Sequence, residues 1–176
     1  MPILSTPHAS SLSEQQCTEE LEHVLNHSAK AQLLLKSIFK LNKRSLVKGV
    51  TCRSCAGTNQ KDKCGYYDGQ FKRIVLCCEN IRSRQDVEQT VIHELVHAFD
   101  ASRKGAFESI CHLVACGEVR ASAIGQCNNV QPEAKRKECI FRDAINSTRE
   151  HCGVQASRIV EQVYENCVRD EAPFAS

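Results

Sequence analysis

The 176-residue chain lacks a long apolar run, a strong net charge and an internal repeat. A membrane-spanning helix needs about 18 or more apolar residues in a row, and no stretch comes near that length. The N-terminal residues lack both the pattern of a secretory signal and the Arg-rich pattern of a mitochondrial transit peptide. The net charge of +2 is too small for nucleic-acid binding to be the default, and the basic clusters at 43–48 and 135–137 are interpreted as solvated helix ends. These absences favour one globular domain that neither spans a membrane nor binds nucleic acid.

Cysteine, in contrast, is abundant, with 12 residues in the chain. An even number at this density is typical of a disulfide framework and unusual in a reducing cytosol. The alternative is that many of these residues are free thiols, buried as small hydrophobic side chains. An oxidised protein without an export signal fits the mitochondrial intermembrane space, where small proteins can be trapped by oxidation of their own cysteines. We therefore expect disulfides, although the spacing does not give their connectivity.

The most informative motif is the HExxH sequence at residues 93–97. On a helix, His93 and His97 lie one turn apart on the same face, so both imidazoles can bind a single Zn²⁺. Glu94 then lies beside the metal, where it can take a proton from a bound water. Ser83 offers an N-cap and Asp86 an acidic first turn, so the motif is predicted to lie on a helix of about 84–101. The sequence thus predicts one zinc ion, two histidine ligands and a catalytic glutamate.

The third ligand is Glu118, His112 or, failing both, Asp100 or another residue. Glu118 and His112 are the main candidates. On one helix these positions lie about 120° apart, so they are not expected to reach the same metal. Glu118 is favoured because its segment fits the pattern of His₂Glu proteases, and because a metal would supply the partner that a buried carboxylate needs. Asp100 lies one turn after His97 and is a candidate acceptor for the N–H of a ligand imidazole. A salt bridge on the helix surface is the alternative for Asp100.

The CxxC motif of Cys52 and Cys55 has three interpretations. Local disulfides are favoured over a structural zinc site, because the later Cys77-Cys78 pair does not have the spacing of a zinc ribbon. A thioredoxin-like redox role is the weakest, because no strand directly precedes a helix at this motif.

Hydrophobic spacing predicts an α+β, mostly helical, zincin-like domain at 17–176, preceded by a flexible segment at 1–16. A strand at 71–78 comes just before the motif helix. It could form the rim of the cleft and pair with an extended substrate, or it could be an ordinary core strand. The other predicted elements are a helical run at 17–40, short strands and turns within 50–82, and helices at 106–123, 132–151 and 154–169.

The motif and the blocks around it resemble the mitochondrial inner-membrane metalloprotease family that matures an ATP-synthase subunit. The resemblance covers the chain from about residue 50 to residue 174 and is specific because several blocks occur in the same order. These blocks are Cys52-x-x-Cys55, GYYD at 65–68, IVLC at 74–77, HELVHAFD at 93–100, CGEVRA at 116–121 and CVRDEAPF at 167–174.

This resemblance implies a zinc metalloendopeptidase on the intermembrane-space face of the inner membrane, associated peripherally with it. The implied substrate is the precursor of ATP-synthase subunit six, and the family also assists assembly of that subunit into the membrane sector. The chain departs from the family in having no Trp, a shorter 98–116 segment, and a His112 displaced by one residue relative to the Glu118 block. The displacement weakens His112 as a ligand, and the altered segment leaves substrate preference open.

Two other function classes remain. One is a disulfide-braced assembly factor without proteolytic activity. The other is a nuclear partner of the Ku DNA-repair protein, a role described for a family member. The near-neutral charge and the high cysteine content argue against the nuclear role as the main one.

Overall fold

The computed structural model of the protein describes residues 10–174. Helices dominate this part of the chain and accompany a small sheet, which confirms the predicted α+β fold. The helices are α1 (Glu14–His27), α2 (Ala29–Leu41), α3 (Arg84–Ser102), α4 (Ile110–Ile124), α5 (Glu133–Cys152) and α6 (Ala156–Arg169), and the strands are β1 (Val50–Arg53), β2 (Gly65–Asp68) and β3 (Arg73–Cys77).

The helical run predicted at 17–40 is two helices. Ser28 separates them because its backbone is extended and its side chain accepts a hydrogen bond from the Ala31 N–H, which caps α2. The start of α1 is fixed by a capping box between Ser13 and Gln16, so helix begins inside the segment predicted to be flexible. Residues 1–9 of the predicted flexible segment lie outside the described residues, so their flexibility stays a prediction.

The sheet has the strand order β1-β3-β2, with β3 in the middle. β3 pairs in parallel with β1 and antiparallel with β2, so both of its edges are occupied. The predicted strand at 71–78 is therefore a core strand, because no edge of it remains for a substrate. The free edge that borders the motif helix belongs to β2.

Two buried clusters of side chains form the core. The first joins α1, α2 and α3 to one face of the sheet and includes Leu34, Ile74 and Leu95. The second joins α4, α5 and α6 and includes Val119, Ile140 and Val160. Ala121 and Ile124 of α4 belong to the first cluster, so α4 connects the two. We call the first part (10–104) the N-terminal layer and the second (105–169) the C-terminal layer.

Ten of the cysteines form five disulfides, which confirms the predicted framework. Two lie in the N-terminal layer, Cys17–Cys52 and Cys55–Cys77, so each cysteine of the CxxC motif has a disulfide partner. Three lie in the C-terminal layer, Cys111–Cys152, Cys116–Cys167 and Cys127–Cys139. Cys64 and Cys78 are free thiols. None of the described helices is both long enough and apolar enough to cross a bilayer.

Candidate metal centre

Helix α3 presents one face to the core and the other to a cleft. Ser83 caps it by accepting a hydrogen bond from the Asp86 N–H, as the sequence predicts. Val87, Val91 and Leu95 recur at four-residue spacing and are fully buried. Packing of this apolar stripe turns His93 and His97 towards the cleft, where their side chains are 15% and 20% exposed.

Helix α4 brings Glu118 to the same place. Ser109 caps α4 by accepting a hydrogen bond from the His112 N–H, and the helix then packs across α3. The Nε2 atoms of His93 and His97 lie 3.1 Å apart. Glu118 Oε2 lies 3.5 Å from His93 Nε2, and Glu118 Oε1 lies 3.3 Å from His97 Nε2. The structure thus brings together the three residues predicted as ligands.

This arrangement fits a metal ion. Donor atoms of a tetrahedral zinc site, each about 2.0 to 2.2 Å from the metal, lie about 3.3 to 3.6 Å from one another. The three observed separations are close to that range, and the donor set of two imidazoles and one carboxylate is that of catalytic His₂Glu sites. Glu118 Oε2 is also buried without a hydrogen-bond partner among the described residues. Burial of a carboxylate oxygen without a hydrogen-bond partner lowers the stability of the fold unless a cation lies next to it.

The charges of the site favour a cation as well. Burial alone lowers the pKa of His93 and of His97, but the carboxylates around them, Glu118 foremost and then Glu94, together outweigh burial and raise the pKa of both. Burial alone raises the pKa of Glu118, but the two imidazoles hold it well below its usual range. In the metal-free protein, protons on the imidazoles therefore neutralise the carboxylate. A divalent cation can take over that role.

Gln126 orients His93, and the sequence did not predict it. The Gln126 Nε2 donates a hydrogen bond to the Asp143 carboxylate at 3.1 Å, and a carboxylate can only accept, so the orientation of the amide is fixed. Gln126 Oε1 then accepts from His93 Nδ1 at 2.9 Å. Because Nδ1 carries the proton, the neutral ring leaves the lone pair on Nε2, the atom that faces Glu118.

Glu94 lines the same cleft and is 7% exposed. Strand β2 lies against it because of Gly65. A Cβ atom on Gly65 would lie 2.8 Å from Thr90 Cγ2 and 2.9 Å from the Val75 carbonyl oxygen, so a larger residue would push β2 away from α3. The same Cβ would lie 3.6 Å from Glu94 Cγ. Glycine thus permits the edge strand to approach the predicted catalytic glutamate.

His112, the alternative ligand, lies apart from the cluster. Its Nδ1 is 2.7 Å from Ser109 Oγ and its Nε2 is 2.9 Å from Gln162 Oε1. The first contact lies within the start of α4 and the second joins α4 to α6, and His112 is not among the three clustered donors. The structure thus does not bring His112 to the cluster, and its role as the alternative ligand stays a prediction.

The structure pairs Asp100 with arginines, and the predicted role of Asp100 as acceptor for a ligand imidazole stays a prediction. Its carboxylate accepts from Arg120 Nε at 3.1 and 3.0 Å and from Arg103 at 2.9 Å. Arg103 lies three residues on and is 30% exposed, so this pair matches the alternative of a salt bridge along the helix. Arg120 is 1% exposed and pairs with Asp100 between α3 and α4. The same guanidinium also donates to the backbone carbonyls of Asp170 and Ala172, and it thereby fixes the chain after α6 to both helices.

The cleft around the three donors has a volume of about 1290 Å³. It runs between β2 and the turns that follow α3, and it reaches the C-terminal layer at Gln126 and Asp143. This volume exceeds that of a typical small-molecule pocket, about 300 to 1,000 Å³, and leaves room for a segment of polypeptide.

Comparison with known proteins agrees with this geometry. Residues 15–175 match the sequence profile of the peptidase M76 family. Among the relatives are proteins named mitochondrial inner membrane protease atp23 from Botryotinia fuckeliana and from Aspergillus clavatus. The first is 32% identical over 90% of this chain and 72% of the relative, and the second is 29% identical over 91% and 72%. The mitochondrial inner membrane protease ATP23 homolog of Danio rerio is 30% identical over 92% of this chain and 67% of the relative. No solved structure matches the chain significantly. These matches confirm the resemblance found in the sequence: the chain belongs to the peptidase M76 family, and it is a metallopeptidase.

Proposed function

We propose that the metal is zinc, held by His93, His97 and Glu118, and that Glu94 is the general base of an endopeptidase. The observation that carries this proposal is the convergence of three donor atoms within 4.8 Å of one another, beside a carboxylate that lines the cleft. When bound, zinc polarises the scissile carbonyl and lowers the pKa of the attacking water. Glu94 accepts the proton of that water and delivers it to the leaving amine.

The free edge of β2 supports binding of the substrate as an added strand. The Cys77 N–H donates to the Cys64 carbonyl, so these residues form a hydrogen-bonded pair, and pairs alternate along an antiparallel ladder. Gly65, the next residue, therefore directs its backbone N–H and C=O away from β3, and so does Tyr67. An extended peptide that pairs with these groups would pass beside Glu94. Methylating the matching amides of a peptide substrate should raise KM, and an unchanged KM would count against this binding mode.

The location and substrate of this chain are part of the proposal. Five disulfides support an oxidising compartment, and the relatives named above are called mitochondrial inner membrane proteases. We infer the mitochondrial intermembrane space, with peripheral association to the inner membrane. The resemblance further suggests the precursor of ATP-synthase subunit six as the substrate, with a separate role in assembly of that subunit.

The test compares zinc content and propeptide cleavage among the wild type and three variants. Glu94→Gln should keep zinc and lose about 10²- to 10⁴-fold in kcat, the usual contribution of a general base. Glu118→Ala should lose both zinc and activity, because a ligand is removed. His112→Ala is the matched control and should keep both. If Glu118→Ala retains its metal while His112→Ala loses it, the ligand assignment is wrong.

A further inference from the structure

The positive charge of the chain is concentrated in one segment. Residues 23–61 contain eight Lys and Arg residues and no Asp or Glu. Because the whole chain has a net charge of only +2, the remaining residues are net acidic. In the structure this segment forms the end of α1, all of α2, β1 and the turns around them.

Large apolar side chains are exposed among these basic residues. Phe39 is 60% exposed and Leu41 is 50% exposed at the end of α2, and Val47 is 64% exposed in the turn that follows. Phe71, at 57%, lies close by because the Lys48 N–H donates to the Lys72 carbonyl at 2.9 Å. We call this surface the basic-apolar face, and it comprises residues 36–48 and 71–72. Its exposed basic residues are Lys36, Lys40, Lys43, Arg44 and Lys48.

The basic side chains of this face are not neutralised. Within residues 10–174, none of the five forms a salt bridge with a carboxylate, whereas Asp68 in the neighbouring hairpin is paired with Arg73 at 3.6 Å. The second basic cluster behaves differently. Lys135 pairs with Glu138 at 3.1 Å, and Arg136 pairs with Glu133 at 3.4 Å. The interpretation as a solvated helix end therefore suits residues 135–137 but leaves the apolar side chains at 36–48 unexplained.

We propose that the basic-apolar face docks the enzyme on the surface of an anionic lipid bilayer. Lysines near such a surface are attracted to anionic headgroups, and aromatic and aliphatic side chains between them can enter the boundary between headgroups and acyl chains. Nucleic acid is a poorer fit, because two of the four exposed apolar side chains, Leu41 and Val47, are aliphatic. They offer no ring on which a base can stack, but they suit the boundary of the acyl chains. This inference rests on the peripheral membrane association proposed above and is independent of the metal site.

Docking through this face would hold the cleft next to the membrane. Ser45, in the turn of the same face, has its hydroxyl 3.3 Å from that of Tyr67 and 3.3 Å from that of Ser102. Tyr67 lines the cleft, and Ser102 is the last residue of α3. The docked enzyme would therefore act on segments that emerge close to the bilayer surface.

The experiment is flotation of the full, oxidised chain with vesicles of phosphatidylcholine alone or with 30% phosphatidylglycerol. We expect at least about tenfold stronger binding to the anionic vesicles, weakened by added salt because the attraction is screened. Reversal of charge in Lys40→Glu/Lys43→Glu/Arg44→Glu should remove most of this binding. Phe39→Ser/Val47→Ser should weaken it as well, but its remaining binding should keep the salt dependence of the wild type.

The matched control is Lys135→Glu/Lys137→Glu/Val154→Ser, which makes similar changes at exposed positions of the other basic cluster and at an apolar residue that is 98% exposed. It should bind vesicles as the wild type does. Equal binding to both vesicle types, full binding by the charge-reversed variant, or tighter binding to duplex DNA than to anionic vesicles would each overturn the proposal. All variants should cleave a soluble peptide normally, so loss of docking is distinguishable from failure of the proposed zinc peptidase.

Discussion

The two layers of the molecule hold their metal-site residues by different means. The N-terminal layer packs His93 and His97 through an aliphatic stripe on α3 that faces helices and sheet. In the C-terminal layer, α4 carries Glu118, and Cys111–Cys152 and Cys116–Cys167 tie this helix to α5 and α6. Its buried cluster is smaller and includes four disulfide cysteines. The helix of the histidine half thus carries no disulfide and is held by packing, whereas the helix of the carboxylate half is held by packing and by two disulfides.

The largest expected effect follows from removing one disulfide from each layer. Cys116→Ser/Cys167→Ser and Cys17→Ser/Cys52→Ser open loops of similar length, so each should lower the free energy of unfolding by about 4 kcal/mol. Only the first should also bind zinc about tenfold or more weakly, because Cys116 lies two residues before Glu118. Urea unfolding and competition with a chromophoric chelator measure the two quantities. Equal zinc affinities in the two variants would show that the disulfides of the C-terminal layer do not hold the metal site.

Arg120 joins the layers, and its removal should have the next largest effect. It is buried and paired with Asp100 of α3 and with Asp170 after α6, at 3.0 and 3.1 Å. Arg120→Met leaves the partly buried Asp100 with Arg103 as its remaining partner and removes the donors to the Asp170 and Ala172 carbonyls, so we expect a loss of about 3 kcal/mol in the free energy of unfolding. Arg136→Met is the control, because its partner Glu133 is 74% exposed and such pairs contribute about 1 kcal/mol or less. A loss below 1 kcal/mol for Arg120→Met would show that the layers are held together by packing alone.

The sequence predicted all three clustered residues because their signals are local. The spacing of His93 and His97 is one helical turn, and the apolar stripe beside them shows which way α3 must face. Glu118 was found by a similar argument, since a carboxylate on the buried stripe of a helix needs a partner. These inferences use only the periodicity of a single helix. Their role as ligands stays a prediction.

What the sequence missed depends on contacts between elements. Gln126 lies in the turn after α4 and meets His93 only because α4 packs on α3, and no periodicity describes a turn. Asp100 was placed on the correct face of its helix, but the periodicity of α3 could not show that Arg120 of α4 forms an ion pair with it. The strand at 71–78 was recognised, while its central position depends on pairing with β1 and β2. One signal for Gln126 was available: it directly precedes Cys127, whose disulfide fixes that turn.

A smaller effect is expected at Gln126, a residue of the C-terminal layer whose hydrogen bond orients His93 of the N-terminal layer. Gln126→Leu removes the acceptor for His93 Nδ1–H, so the ring can rotate or adopt the other tautomer, and we expect zinc affinity about 10- to 100-fold weaker. Gln126→Glu combined with Asp143→Asn keeps the acceptor without placing two carboxylates about 3.1 Å apart, and it should restore most of the affinity, which a purely steric role would not predict. Asn128→Leu, at an exposed position of the same turn, is the control and should bind zinc normally. The unfolding free energy of the metal-free protein should change by less than about 1 kcal/mol in all three, because the hydrogen bond is only partly buried. If Gln126→Leu binds zinc as tightly as the wild type, His93 is oriented by packing within its own layer, and the C-terminal layer contributes Glu118 alone.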